Sequence, residues 1–445
     1  MFIIQYILAI VIVFYLLIVA YIKLTYKFWA YQPVFHVYHL YWWLFPCGII
    51  DYELPKKNKF INPFQIQHFQ YPDSYNDKSN DKSTELVPWD QMTSFIKQHY
   101  LQNKRHELFY NPSLKEIQTY FKGHSYPTIV SLYYEKEGLI EYKNEKNELI
   151  ERNNIIGCIT SRPLYVTFPN ESSENNKHHR ELTVYYVDFL CVHKQKRKQG
   201  IASELIQTHE YYQRRVGHHR DSNNNLHVSL FKREGQLTGI VPLVVFSSMG
   251  YMTEHISLDR FQKIEDYYSI LRLQKSSLQL FFSFIKKNKE RFGCIITPHL
   301  SNLMFLLEQN ILTIYMLMLN DSVLSVYIFR NEHTMEKKRD CISCIGSLSS
   351  RNQSKELFGF GFLHCFNLLK REISSKKREN DKKNDKKNHN HTILYIENIG
   401  DNLFLNNYVK EFHITKHHDC QIPMAYFFYN YAKRPFLEKE VFILC

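Results

Sequence analysis

The sequence predicts an α/β protein preceded by one membrane-spanning helix, and three observations carry that prediction. Residues 187–206 run from an apolar, β-rich stretch through a cationic break into a helical pattern. Apolar segments of strand length alternate with helical periodicities on both sides of that stretch, the pattern of helices packed on a sheet. Residues 2–22 hold no charged side chain.

At ~1.5 Å per residue, a helix over residues 2–22 crosses the ~30 Å hydrocarbon core of a bilayer. A cleaved signal peptide is the alternative. Against it, no basic stretch precedes the apolar run, the run is too long, and no small-x-small site follows. Lys23 and Lys27 come directly after the span, so the positive-inside rule places the remaining chain in the cytosol. The nine cysteines lack the regular spacing of a disulfide framework, which agrees with a reducing compartment. Cys341 and Cys344 form the one close pair; with no second pair or histidines in sequence reach, no metal site is expected.

The 445 residues, 44% of them hydrophobic, suffice for one large core or two medium ones. The formal charge is +12, and residues 370–390 alone hold nine Lys/Arg against four acids. The rest of the excess is diffuse, which suits a phosphate-bearing cofactor or an anionic membrane surface. No zinc finger, helix-turn-helix or RNA-binding signature accompanies it, so nucleic acid is not an expected partner.

Taken in order, residues 26–34 (Tyr-Lys-Phe-Trp-Ala-Tyr-Gln-Pro-Val) follow the anchor, and Tyr38, Tyr41, Trp42 and Trp43 suit an aromatic belt at a bilayer interface. Residues 73–83 are polar and of low complexity, a loop or tether. Helices are expected at 89–100, with Asp90 in the first turn, and at 109–121, with Pro112 and Ser113 near the start. Strands follow at 128–134 and 155–159, with polar loops at 141–152 and 170–181; His178 and His179 in the second loop read as solvated. The strand at 182–192 enters the basic turn of Lys194, Lys196, Arg197 and Lys198. A helix to about residue 213 then puts Ile201, Leu205 and Ile206 on one face. A polar loop at 217–226 and strands at 227–231 and 239–246 complete a first α/β unit near residue 260.

A second α/β pattern begins with a helix at 274–286 and apolar segments at 291–297, 302–308 and 311–319. Strands at 322–329 and 341–348 precede a helix at 358–373, with Gly359 and Gly361 near its start. A strand at 392–396 follows the basic run 374–390, which reads as a solvated insertion.

Strand, basic turn and helix together hold a phosphorylated cofactor by simple electrostatics. The turn and the helix N-terminus offer backbone N–H groups and a partial positive charge, and the lysines add full charges. Gly200 permits close backbone approach. Arg197, Gly200 and Ala202 match the Arg/Gln-x-x-Gly-x-Gly/Ala pattern, and the segment resembles motif A of the GNAT acyl-CoA transferase superfamily. The longer run Phe189-Leu-Cys-Val-His-Lys before the basic turn resembles the corresponding segment of the N-myristoyltransferases, which carry a doubled GNAT fold. Residues 28–34 (Phe-Trp-x-x-Gln-Pro-Val), 397–405, 425–435 and 440–445 resemble further segments of that family. The glycine at position 200 is a departure, since the family's basic turn usually lacks one.

The resemblance implies two GNAT-like units forming one continuous mixed-sheet body. Residues 1–23 would be the anchor, 24–85 an arm covering the cofactor, 86–260 an acyl-CoA-binding half, and 261–445 an acceptor-binding half carrying the basic insertion 374–390. It implies acyl-CoA as cosubstrate, myristoyl-CoA being favoured and acetyl-CoA the alternative. The implied cofactor-binding residues are Lys27, Phe28, Trp29, Gln32, Leu190, Cys191, Val192, Arg197, Lys198, Gln199, Gly200, Ile201 and Ala202. It further implies that the N–H groups of Phe189 and Leu190 polarise the thioester, and that the α-carboxylate of Cys445 takes the proton from the acceptor amine. A carboxylate in an apolar site has a raised pKa and is a better base for it. The acceptor is then a protein or peptide with a free amine, an N-terminal glycine for myristoyl transfer. A GNAT acetyltransferase and an inactive membrane-anchored binding protein remain as alternatives.

Overall fold

β-Branched and aromatic runs recur along the chain, and they pair into one mixed sheet of fifteen strands among the described residues. A computed structural model describes residues 2–71, 87–101, 107–135, 142–143, 149–150, 154–169, 181–220, 226–235, 239–253, 267–380, 392–412 and 420–445. The sheet strands are β1 (Ile66–Tyr71), β2 (Leu108–Tyr110), β3 (Thr128–Glu135), β4 (Asn154–Thr167), β5 (Glu181–Val192), β6 (Ser229–Glu234), β7 (Val244–Met252) and β8 (Tyr268–Arg272). They continue with β9 (Cys294–Pro298), β10 (Leu312–Leu319), β11 (Ser322–Glu336), β12 (Arg339–Ser349), β13 (Thr392–Glu397), β14 (Cys420–Tyr429) and β15 (Val441–Ile443). Their order is β8-β10-β11-β12-β13-β7-β14-β6-β5-β4-β9-β15, with β3 bridging β1 to β4 and β2 pairing with β11. Late strands are thus threaded among early ones: β14 lies between β6 and β7, and β9 and β15 extend the edge beyond β4.

The helices are α1 (Phe2–Thr25), α2 (Leu40–Leu44), α3 (Trp89–His99), α4 (Leu114–Thr119), α5 (Ile201–Arg220), α6 (Leu278–Asn288), α7 (Leu300–Glu308), α8 (Lys355–Asn380) and α9 (Asn402–Phe412). Helix α5 packs Ile201 and Leu205 against Ile66, Tyr133 and Ile159. A Cβ at Gly157 would lie 2.7 Å from Leu205 Cδ1, so the glycine on β4 sets how closely α5 approaches the sheet. Helices α8 and α9 bury Phe362, Phe366 and Leu405 against Tyr327, Phe329 and Ile396. Helices α6 and α7 bury Phe281 and Leu303 against Ile314, Met316 and Ile328. Each such side chain contributes roughly 1.5–3 kcal/mol by leaving water.

Several local expectations are corrected. Residues 109–121 do not form one helix. Leu108–Tyr110 is a strand paired with 334–336, Pro112 lacks the N–H a helix interior needs, and α4 starts only at Leu114. Its start is fixed by a capping box in which Ser113 Oγ accepts from the Glu116 N–H and Glu116 accepts from the Ser113 N–H. Helix α5 runs on to Arg220 rather than ending near residue 213, and residues 302–308 belong to helix α7. The strand expected from residue 239 begins at Val244, because Pro242 cannot donate to a ladder; Ile240 makes only an isolated bridge to His36. Helix α8 continues through residues 374–380 of the basic run, and residues 381–390 lie outside the described residues. The polar stretches at 73–83 and 170–180, with His178 and His179, also lie outside them. Cys341 and Cys344 are both buried on β12.

Candidate active site

Strands β5 and β6 run parallel, but they pair over only three residues, Tyr185 to Val187 against Ser229 to Phe231. Beyond that point they diverge. Strand β5 continues along β4, and β6 continues along β14 as Lys232, Arg233 and Glu234. The wedge between them opens into a cavity of about 700 Å³. That size lies within the roughly 300–1,000 Å³ of small-molecule sites.

A bulge shapes the wall of the wedge. Cys191 faces Cys158 and Asp188 faces Thr160, so Phe189 and Leu190 together stand opposite the single residue Ile159. Phe189 has a φ of +48°, which a β-strand residue adopts only where the ladder is interrupted. Both bulge residues line the cavity, Phe189 buried and Leu190 partly exposed. The Phe189 N–H donates to Asp188 Oδ1 at 2.9 Å. Below the bulge, the rings of Tyr100, Tyr110 and Tyr120 surround Phe189. Burial raises all three phenols above their ordinary range and keeps them neutral.

At the far end of β5 the cationic turn makes a short 3₁₀ segment, Lys194–Lys196, capped by His193 Nδ1 accepting from the Gln195 N–H. Arg197 is committed to structure: its Nη2 donates to the His99 carbonyl at 3.0 Å and its Nε to the Val192 carbonyl at 3.3 Å. Lys196 pairs with Glu135. Lys194, Lys198, Gln199 and Gly200 are exposed around the start of α5, while Ile201 is buried and Ala202 half-buried. Gly200 has a φ of +88°, and a Cβ there would meet nothing within 4 Å, so the backbone is open above this turn. Cys191 is buried beneath it and Val192 half-buried.

The segment after α1 reaches the same wedge from its other side. Trp29 lines the cavity and stacks on Phe231 at 5.8 Å, and Phe231 stacks on Phe427 at 5.3 Å. Gln32 is buried and accepts from Tyr429 Oη at 2.7 Å. Phe28 packs on Phe60, whose carbonyl accepts from Thr208 of α5, and Lys27 is exposed. Of the residues expected from sequence, Trp29, Phe189 and Leu190 therefore share the cavity wall. The basic turn lies at the end of β5, outside that wall, and Lys27, Phe28 and Gln32 lie beside it.

Cys445 is buried behind the cavity, and its main-chain oxygen accepts from Arg330 Nη1 at 2.9 Å. Burial pushes its thiol up. Arg330 also pairs with Glu332 at 2.8 Å and approaches Glu397 at 3.5 Å, and Glu397 pairs with Lys232 at 2.6 Å. Burial works most strongly, to raise the Glu332 carboxyl, but the Arg330 guanidinium, a hydrogen bond from Ser343 and the Lys232 charge together outweigh it and hold that group below the usual carboxylate range. Arg162 is 2% exposed, lies 5.5 Å from the Tyr120 ring and 5.2 Å from the Tyr186 ring, and has two guanidinium nitrogens without a hydrogen-bond partner among the described residues.

On the α5 face of the sheet the lining is also polar. His209 bridges Ser131 Oγ at 2.8 Å and Ser161 Oγ at 2.9 Å, and burial lowers its pKa to about 3, so the imidazole is neutral. Glu210 Oε2 accepts from Ser229 and Gln213, and burial raises its carboxyl to about 7. None of Arg162, Lys232, Glu210, Arg330 and Glu332 stood out in the sequence, and Glu397 did so only as the first residue of the segment 397–405. The signal that marks most of them is a charge on an otherwise apolar strand, as at Arg162 in 155–166 and Arg330 in 326–330.

A family model for the acetyltransferase (GNAT) family matches residues 112–235, the segment that includes the wedge, the bulge and the basic turn. Comparison with curated proteins by sequence found no match. Two solved structures of Saccharomyces cerevisiae N-myristoyltransferase with bound myristoyl-CoA are similar in fold. One has a TM-score of 0.58 at 12% identity and covers 93% of this chain and 90% of that one. The other has a TM-score of 0.55 at 12% identity, covering 92% and 94%. A third, of the same yeast enzyme with myristoyl-CoA and inhibitors, gives 0.57 at 12% identity, covering 92% and 91%. The chain therefore carries a GNAT acetyltransferase-family domain within a mixed α/β body of N-myristoyltransferase-like fold.

Proposed function

We propose that the protein transfers an acyl group from acyl-CoA to a protein or peptide amine, with myristoyl-CoA as donor and an N-terminal glycine as acceptor. The observation that carries this reading is the wedge between β5 and β6, which opens beside a bulge at Phe189 and Leu190 onto a cavity far larger than an acetyl group needs. In this reading the N-terminal half holds the acyl-CoA and the C-terminal half the acceptor. The CoA phosphates lie at the open turn of Lys194, Lys198, Gln199 and Gly200, where helix N-terminus and lysines act together. The pantetheine amides run down the wedge, beside strand edges that have parted from each other. Lys27, Phe28 and Trp29 flank it, with Gln32 holding that arm to Tyr429.

The thioester carbonyl then sits at the bulge. As the amine nitrogen attacks its carbon, negative charge grows on the oxygen, and the Leu190 and Phe189 N–H groups stabilise it. The C–S bond breaks, CoA leaves as the thiolate, and the amine's proton passes to the main-chain carboxyl of Cys445 beside Arg330. The Phe189 N–H serves only after Asp188 Oδ1 turns away from it. The body faces the cytosol, where acyl-CoA is found, with α1 as its membrane anchor. Among the described residues α1 is the one helix long and apolar enough to cross a bilayer.

A second reading, acetyl transfer, is favoured by the match of residues 112–235 to the acetyltransferase family and by Gly200 in the turn. Calorimetric titration with acetyl-CoA and myristoyl-CoA separates the two, with mass spectrometry of a glycine-starting peptide as the transfer assay. Much tighter myristoyl-CoA binding with a mass gain on the peptide supports the first reading. Equal affinities support the second, and binding of neither refutes both.

A further inference from the structure

Helix α1 does not stand clear of the body. Tyr15 Oη donates to the Tyr38 carbonyl at 3.1 Å, and Ile22 is 3% exposed. A Cβ at Gly239 would meet Ile22 Cγ2 at 3.1 Å, so that glycine admits the helix. The free stretch from Phe2 to Tyr15 is roughly 20 Å long at ~1.5 Å per residue, shorter than the ~30 Å hydrocarbon core. Whatever lies beside Tyr15 therefore shares the environment of the helix.

What lies there is α2 and its flanks. Residues 28–50 contain no Asp, Glu, Lys or Arg. Trp42 turns inward onto Phe35, while Tyr41, Leu44 and Phe45 are 68%, 64% and 61% exposed. The segment is nonetheless held in place: Trp43 Nε1 donates to the Val37 carbonyl at 3.1 Å, and Arg434 donates to the Leu44 carbonyl. An ordered apolar surface of this kind is costly in water, and aromatic side chains with polar tips suit the headgroup boundary.

We propose that the segment 38–45 is a second membrane-contacting element, inserted beside the C-terminal part of α1 into the leaflet nearest the body and fixing how the body sits on the bilayer. The occupant is lipid rather than protein because the surface is continuous with the apolar flank of α1, carries no charged residue of its own over 28–50, and is edged by the exposed cations Lys23 and Arg434, which suit headgroup phosphates. It follows that Trp29, four residues beyond the end of α1 and part of the cavity wall, is held close to the membrane surface. This inference rests on the proposed reading of α1 as a membrane anchor and not on which acyl group the cavity takes.

The test uses the full chain in phosphatidylcholine vesicles whose acyl chains carry bromine at defined depths. Emission of Trp43 is isolated as the difference between the native chain and Trp43→Phe. The expected result is loss of Trp43 emission to bromolipid and little loss to aqueous iodide, with Leu44→Glu/Phe45→Glu reversing the pattern at an unchanged melting temperature. Quenching of Trp43 by iodide but not by bromolipid overturns the proposal. Protection from both quenchers, with a doubled mass in detergent, assigns the face to a second copy and overturns it equally.

Discussion

The Arg330 guanidinium joins the main-chain oxygen of Cys445, at 2.9 Å, to the carboxylate of Glu332, at 2.8 Å. One side chain thus ties the last strand of the sheet to the floor of the cavity. Arg330→Met leaves Glu332 in a largely buried site without its cation. The expected loss of stability is about 3 kcal/mol, at the low end for buried pairs because both groups keep some exposure. Arg330→Lys keeps the charge but loses the planar fork, so it falls between the two. Urea denaturation of the three proteins checks the order.

Gly200 occupies a left-handed conformation with open space above it. Gly200→Ala strains the turn by roughly 1–2 kcal/mol, a figure set by backbone conformation alone. Under the proposed function its methyl also stands where the CoA phosphates approach. Calorimetry is expected to give an acyl-CoA Kd about tenfold higher, a loss of ~1.4 kcal/mol.

Asp188 holds the Phe189 N–H that the proposed chemistry needs. Asp188→Ala is expected to lower the melting temperature, since about 1 kcal/mol of hydrogen bonding is lost. It should not lower kcat, because the freed N–H faces the thioester sooner. A kcat well below that of the native protein would give Asp188 a direct role in the reaction instead.

Glu210 links stability to pH. Burial raises its carboxyl from 4.5 to about 7, so between those values the folded state holds a proton that the unfolded state has released. Stability from this group is therefore full below pH 4.5, falls as pH rises through the window, and is flat above about 7. The span corresponds to about 3 kcal/mol at most. Glu210→Gln removes the slope and is expected to be the more stable protein at pH 8. His209 acts oppositely at low pH, since its lowered pKa makes the folded state resist protonation below 6.5. The comparison of native and Glu210→Gln unfolding at pH 5, 6, 7 and 8 isolates the glutamate.

Much of the architecture was legible in the chain because it rests on short-range signals. Uncharged length marks α1, and alternation of apolar runs marks the strands. The basic turn between strand and helix marks the junction of β5 and α5, since turn, charge and glycine all fall within residues 193–202. Elements misplaced in the sequence were those where a partner distant in the chain decided the outcome. Residues 108–110 became a strand only because 334–336 offered a ladder, and α5 ran past residue 213 with Gln213 and Arg214 both buried.

The sequence by itself thus determined the α/β class, the apolar N-terminal helix and the cationic strand–turn–helix, all properties of neighbouring residues. Tertiary structure alone decided the cavity. Among its charges are Arg162 on β4, Glu210 on α5, Lys232 on β6, Arg330 on β11 and Glu397 on β13, spread over more than half the chain and unrelated in spacing. The bulge at Phe189 was equally hidden, because a register shift belongs to a pair of strands and not to either one.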